Sequence, residues 1–229
     1  MTKLLALAAT LTALAAPAVA AAPHPVVVEL FQSQGCSSCP PADANLARIA
    51  GQPGVIALSF AVTYWDNAAW KDTFARPAYT SRQWDYAHAL HHAQVYTPQV
   101  VVDGRVDGDG IAPAAFAGLV ATGAATPAGP AVDLAADHVT VAAGAAPVAG
   151  ADVWLVRYDP HTVQVPIRGG ENGGRTLPHV DIVKELVRLG AWTGAAAHYR
   201  LPPPTAPGLV TAILVQTVKG GPILAAARS

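Results

Sequence analysis

Charge is scarce in this chain. Acidic and basic side chains make up 13% of the 229 residues, about half the share of roughly 25% in ordinary globular domains. The net charge is −1, and no long run of lysine or arginine occurs. A nucleic-acid surface needs clustered cations to neutralise phosphates, so no nucleic-acid partner is expected. Cysteine is almost absent, with two residues, Cys36 and Cys39. Structural zinc takes about four ligands, and no second cysteine pair exists to complete such a site. Methionine occurs once, as Met1, so the rest of the chain has no thioether to oxidise. No apolar run reaches the roughly 20 residues of a membrane-spanning helix. Stable membrane insertion is therefore not expected, and no motif calls for a cofactor.

Apolar residues are plentiful at 52%, enough to core one or two domains, although alanine contributes little burial per residue. The first 20 residues read as an export signal. Lys3 supplies the positive start, Leu4 to Ala16 the apolar stretch, Pro17 the break, and Ala18-Val19-Ala20 the small-residue cleavage pattern. This implies a periplasmic or secreted protein; the alternative is an uncleaved anchor.

Residues 24–122 read as alternating strands and helices. Val26 to Phe31 is a β-branched apolar run, as in a buried strand. Pro40 and Pro41 suit a helix's first turn, and Ala42 to Ala50 continues it. Val55 to Val62 is a second strand, Tyr79 to Ala93 a helix, and Val95 to Val102 a third strand containing Pro98. Asp103-Gly104 is a hairpin signal leading to a strand at Val106, and Ala112 to Ala121 is a closing helix. The order is α/β and matches the thioredoxin-like arrangement of a βαβ unit, a hairpin and a helix. A Gly, Ala, Thr and Pro linker covers 122–131. Residues 131–229 read as a smaller β-sandwich-like module. Its strands are Val132–Val141, Ala151–Tyr158, Val163–Ile167 and Leu209–Val218. Leu177 to Leu189 fits a helical face through Val180, Val183 and Val187, but its β-branched content tips it toward strand.

Cys36-Ser37-Ser38-Cys39 closes too short a loop to restrict the unfolded chain much. Its spacing suits dithiol exchange, because two intervening residues bring the sulfurs within bonding distance across one helical turn. The expected geometry has Cys36 accessible at the helix start, where unpaired amides favour thiolate, and Cys39 a turn inside as the resolving residue. The uncharged Ser37 and Ser38 add no ionic term that would make the pair strongly oxidising. His88, His91 and His92 could in principle add metal ligands, but read as a solvated helix surface; no metal site is expected. The thioredoxin-like resemblance implies a cis-proline loop facing the cysteines, with Pro98 at its centre and Thr97 offering backbone groups to a substrate. The plainer alternative is a trans proline opening an edge strand.

Several segments together resemble the DUF1223 family of exported thioredoxin-like proteins. They are Glu29-Leu30-Phe31, Ser33-Gln34-Gly35 with the cysteine motif and Pro40, Tyr64-Trp65-Asp66, Trp70-Lys71-Asp72, Tyr96-Thr97-Pro98-Gln99, and Arg168 through Leu177 with its Gly-Glu-Asn core. The resemblance runs from about Val26 to Val218 and implies the fold more than a reaction. The thioredoxin comparison also implies a buried carboxylate behind the cysteines, a place Glu29 would fill unless it points to solvent or pairs with a basic residue. Trp65 and Tyr96 are candidate walls of a substrate groove, with core packing as the alternative for the tryptophan. Glu171, Asn172, Arg175 and His179 form a dense polar cluster, readable as a binding site, an interdomain contact, or a simple turn at Asn172-Gly173. The leading expectation is a thiol–disulfide oxidoreductase acting on protein or peptide thiols with an unidentified redox partner. A binding module with a structural disulfide and a soft-metal chaperone remain alternatives.

Overall fold

The computed structural model describes residues 25–123 and 129–229. The expected signal at 1–20 and part of the expected linker lie outside the described residues.

The first half follows the sequence closely. Strand β1 (Val26–Gln32) leads through the cysteine turn to helix α1 (Pro40–Ile49), then β2 (Val55–Ala61), α2 (Pro77–Ala89), β3 (Gln99–Val102), β4 (Val106–Gly108) and α3 (Pro113–Gly123). All seven β1 residues are buried, because helices cover both faces of the sheet here. β1 pairs parallel with β2 and antiparallel with β3, which turns back into β4. The turn uses Asp103 (φ 49°) and Gly104 (φ 63°), the left-handed pair that Asp-Gly supplies at low cost. A β-carbon at Gly104 would lie 2.6 Å from the Gly221 carbonyl oxygen, so only glycine fits. The third strand starts at Gln99 rather than Val95, since Pro98 has no amide to give a ladder.

The second half adds β5 (Val132–Leu134), β6 (His138–Val141), β7 (Ala151–Asp159), β8 (Val163–Pro166), β9 (Thr176–His179), β10 (Ile182–Trp192), β11 (Ala197–Arg200), β12 (Val210–Thr217) and β13 (Ile223–Arg228). The ambiguous segment at 177–189 is strand: β9 ends at His179, Asp181 turns the chain at φ 49°, and β10 begins. The expected sandwich needs correcting. The two halves share one mixed eight-stranded sheet in the order β13-β12-β7-β10-β2-β1-β3-β4. Ile182 of β10 pairs beside Ser59 of β2 and joins them. Face-to-face β packing survives only locally. Val139 and Val141 of the three-stranded β11-β6-β5 sheet cover Val153, Leu155, Ile213 and Val215 of the large one.

Two further cores sandwich the sheet. Val26, Val28, Leu30 and Val100 meet Ala42 and Leu46 of α1 and Phe116 of α3. On the other face, Val27, Phe31, Phe60, Val156 and Leu214 meet Tyr79 and Tyr86 of α2. That second core spans both halves, so they share their hydrophobic burial.

Candidate functional site

β1 delivers the chain to a tight turn. Cys36 N donates to Ser33 O (3.0 Å) and Cys39 N to Cys36 O (3.3 Å). Cys36 and Cys39 form a disulfide with α-carbons 5.5 Å apart. The helix starts at Pro40, with the prolines in its first turn as expected, and not at Cys36. Pro40 and Pro41 occupy its first positions, Cys39 is its N-cap, and Cys39 O accepts from Ala42 N and Asp43 N. Prolines are tolerated there because first-turn amides have no helical partner to lose. Cys36 therefore lies in the turn before the helix and Cys39 at its threshold.

The expected accessibility of Cys36 also needs correcting. Cys36 is 0% exposed and Cys39 1%, while Ser37 and Ser38 face solvent. The second half of the chain binds this turn. Asn172 Nδ2 donates to Gln34 O (3.0 Å) and Cys36 O (2.9 Å). Arg175 Nη1 donates to Asn172 Oδ1 at 2.6 Å and fixes its orientation. At the rim, Ser37 N donates to Glu171 Oε2 (3.2 Å). Hydrogen bonds from Ser37 hold the fully exposed Glu171 carboxyl below its usual range. Residues 168–175 thus form a cap on the cysteine turn. A β-carbon at Gly169 would sit 2.3 Å from Ala69 O, so the cap approaches the β2–α2 connection as closely as backbone can.

That connection forms the next wall. Asp72 Oδ2 accepts from Gln34 N (2.7 Å), while Gln34 Oε1 accepts from Trp70 Nε1 (3.2 Å). Trp65 Nε1 donates to Thr97 Oγ1 (2.7 Å), and a β-carbon on Gly35 would lie 3.4 Å from Trp65 Cβ. Trp65 thus bridges the cysteine turn and the Thr97–Pro98 segment, whose peptide bond is cis. The pairing of Phe31 with Gln99 sets Pro98 at the carboxyl end of β1, where the turn begins.

Two expected site residues lie elsewhere. Tyr96 turns away: its hydroxyl donates to Asp107 Oδ2 (2.7 Å) and its carbonyl accepts from Gln83 Nε2 (2.7 Å). Glu29 is not behind the cysteines. Its neighbours Val28 and Leu30 face α1, so alternation along β1 sends Glu29 to the α2 face. There Arg82 Nε donates to Glu29 Oε1 (2.7 Å), Arg82 Nη2 donates to Oε2 (3.1 Å), and the Tyr86 hydroxyl also donates to it. A carboxylate committed to a guanidinium on the far face cannot relay a proton to Cys39. In the histidine group, His92 bonds Asp107 (3.0 Å) and His88 packs on Trp84. Gln34 and Asp72, which build the wall, were legible only as parts of the Ser33-Gln34-Gly35 and Trp70-Lys71-Asp72 segments.

Fold and site together define a mixed α/β protein with a capped CxxC disulfide at the entry to its first helix. The chain belongs to the family described as "Protein of unknown function (DUF1223)", which matches residues 27–216 and so includes both the disulfide and its cap. It is similar to an Agrobacterium tumefaciens protein solved by X-ray crystallography. Identity is 28%, TM-score 0.72, and coverage 90% of this chain and 94% of that one. It also shares its fold with HBP35 of Porphyromonas gingivalis at 13% identity and TM-score 0.58, covering 90% of this chain and 75% of that one. No curated protein sequence matches significantly.

Proposed function

We propose that this protein carries out thiol–disulfide exchange on protein or peptide thiols outside the cytoplasm, through Cys36 and Cys39. The observation that carries the reading is the position of the disulfide, in the turn joining β1 to α1 and linked through Trp65 to Thr97. Supporting it, residues 26–123 run β1-α1-β2-α2-β3-β4-α3 with β2, β1, β3 and β4 adjacent in the sheet. That is the order of a thioredoxin-like unit, whose strand ends present a CxxC to substrate. The export-type start at Lys3 to Ala20 supports an oxidising location, where a disulfide persists.

In this reading an incoming thiolate attacks Cys36, and Cys39 leaves and later resolves the mixed disulfide. The cap must lift first, because attack needs a line of approach to the sulfur. A second reading rests on that same cover: the disulfide is structural and the chain is a binding scaffold. A soft-metal role gains no further ligands, since no group of three or more His, Cys, Asp or Glu converges among the described residues.

Trapping separates the two readings. Cys39→Ser, exposed to a cysteine-containing peptide disulfide, should accumulate a mixed disulfide on Cys36. Non-reducing mass spectrometry reads the adduct. No adduct, even when Asn172→Ala is added to loosen the cap, favours the structural disulfide.

A further inference from the structure

α1 and β9 bring two buried titratable groups together. Asp43 follows Cys39 by one helical turn, so the two side chains lie on one face. Asp43 is 8% exposed and also borders a cavity of about 60 Å³, where Pro40 and Ala47 face Leu177 and His179 of β9. His179 is 1% exposed. Neither of its ring nitrogens has a hydrogen-bond partner among the described residues. Burying an imidazole with both nitrogens unpaired is costly, and Nδ1 lies 4.0 Å from Asp43 Oδ1. That separation is too long for a direct hydrogen bond and suits an ordered water bridging the two groups.

Burial disfavours an ion pair between the two groups. Burial, reinforced by the Asp72 charge, pushes the Asp43 carboxyl well above the usual range. Burial pushes His179 down to about 4. Both shifts favour the uncharged forms, a protonated Asp43 carboxyl and a neutral His179 ring. Other charged groups around them are already engaged. Asp72 accepts from Gln34 N and Phe74 N and feels Asp66 beyond it. Lys184 Nζ lies 4.2 Å from the centre of the Phe74 ring, whose neighbour edge-on is His179. Asp181 faces a separate cavity with Arg228.

We infer that Asp43 and His179 form the proton store of the Cys36–Cys39 couple. This rests on the exchange reading. When a dithiol's thiolate forms a bond to Cys36 Sγ, the Cys36–Cys39 bond breaks and its electron pair leaves on Cys39 Sγ. Asp43 gives that sulfur its proton, and His179 steadies the carboxylate left behind. The dithiol's second thiolate then displaces Cys36, leaving two reduced cysteines and an oxidised dithiol. Reoxidation returns the Cys39 proton to Asp43. Asp43 supplies the proton, and His179 is a positioning residue for it.

Native reduction by dithiothreitol tests the store without a biological substrate. The rate is taken per dithiothreitol thiolate, by acid quench and mass-tagging of free thiols across pH. A protonated Asp43 is required, so the wild-type rate should fall as pH rises through Asp43 ionisation. Asp43→Asn should give a flat profile, about tenfold slower at the acid end; a general acid contributes more than this when the leaving group is poorer than a thiolate. His179→Leu should move the fall to higher pH, because the carboxylate loses its partner. A purely structural role would lower the urea midpoint of Asp43→Asn and leave the pH profile unmoved. Matching profiles for wild type and Asp43→Asn overturn the store. Should the variant not fold, the wild-type His179 ring resonance must shift between oxidised and reduced protein, and an unchanged resonance overturns it. A native disulfide inert at every pH, yet reduced once urea unfolds the chain, removes the exchange reading and the store with it.

Discussion

Replacing Asn172 with alanine should speed native reduction of the Cys36–Cys39 disulfide about thirtyfold. Asn172 donates to two carbonyls of the cysteine turn, Gln34 O and Cys36 O, and is itself 0% exposed. A net hydrogen bond is worth about 1 kcal/mol, and two lost together remove about 2 kcal/mol from the closed cap. Since about 1.4 kcal/mol is tenfold in an equilibrium, about 2 kcal/mol populates the open cap about thirtyfold more. Glu171→Gln should do much less, because its bond from Ser37 is exposed and weak. The measurement is dithiothreitol reduction followed by thiol tagging, beside a urea titration. A rate rise with an unchanged m-value locates the effect in local opening. An unchanged rate means residues 168–175 do not control access.

Arg82→Ala should cost about 3–5 kcal/mol of folding stability, the largest effect on folding expected of a single substitution here. Glu29 is 0% exposed, and Arg82 meets both its carboxylate oxygens. Without the guanidinium, a full negative charge stays buried with only Tyr86 to compensate. Arg82 also lies over the rings of Phe60, Tyr86 and Trp154, so packing is lost with the charge. Gln216 of β12 donates to the Tyr86 hydroxyl at 3.0 Å, so the network ties β1 and α2 to the second half. A drop of roughly 10 °C in melting temperature is expected, at about 2–4 °C per kcal/mol for a chain this size. Glu29→Gln with Arg82→Met should recover most of it, since removing both charges leaves neither stranded. No recovery in the pair would mean the loss is packing alone.

The first half was legible because local signals there agree. The apolar run at Val26–Phe31, the Asp103-Gly104 turn and the prolines opening α1 each speak for one structure. Glu29 shows the limit. Alternation places it on one face of β1, yet its partner Arg82 lies 53 residues away, and no local pattern announces that pairing. The second half was read as strands, correctly for β7 and β12, but β13 was missed because half of Ile223–Arg228 is alanine, which carries little strand preference. Its reading as a separate sandwich failed for a physical reason. The halves join where Ile182 pairs beside Ser59, and long-range register leaves no trace in composition. The same holds for the site. Asn172-Gly173 is a turn, with Gly173 N donating to Gly170 O, and it is also the cap, which only folding reveals.

The central claim is that Cys36 and Cys39 are a working redox pair beneath a cap that opens in the folded protein. Equilibration of native protein in glutathione redox buffers, with alkylation and mass spectrometry reading the cysteines, tests it most directly. Reversible two-electron conversion, with near-UV circular dichroism unchanged, is the result predicted. A disulfide that becomes reducible only along the unfolding transition would contradict it.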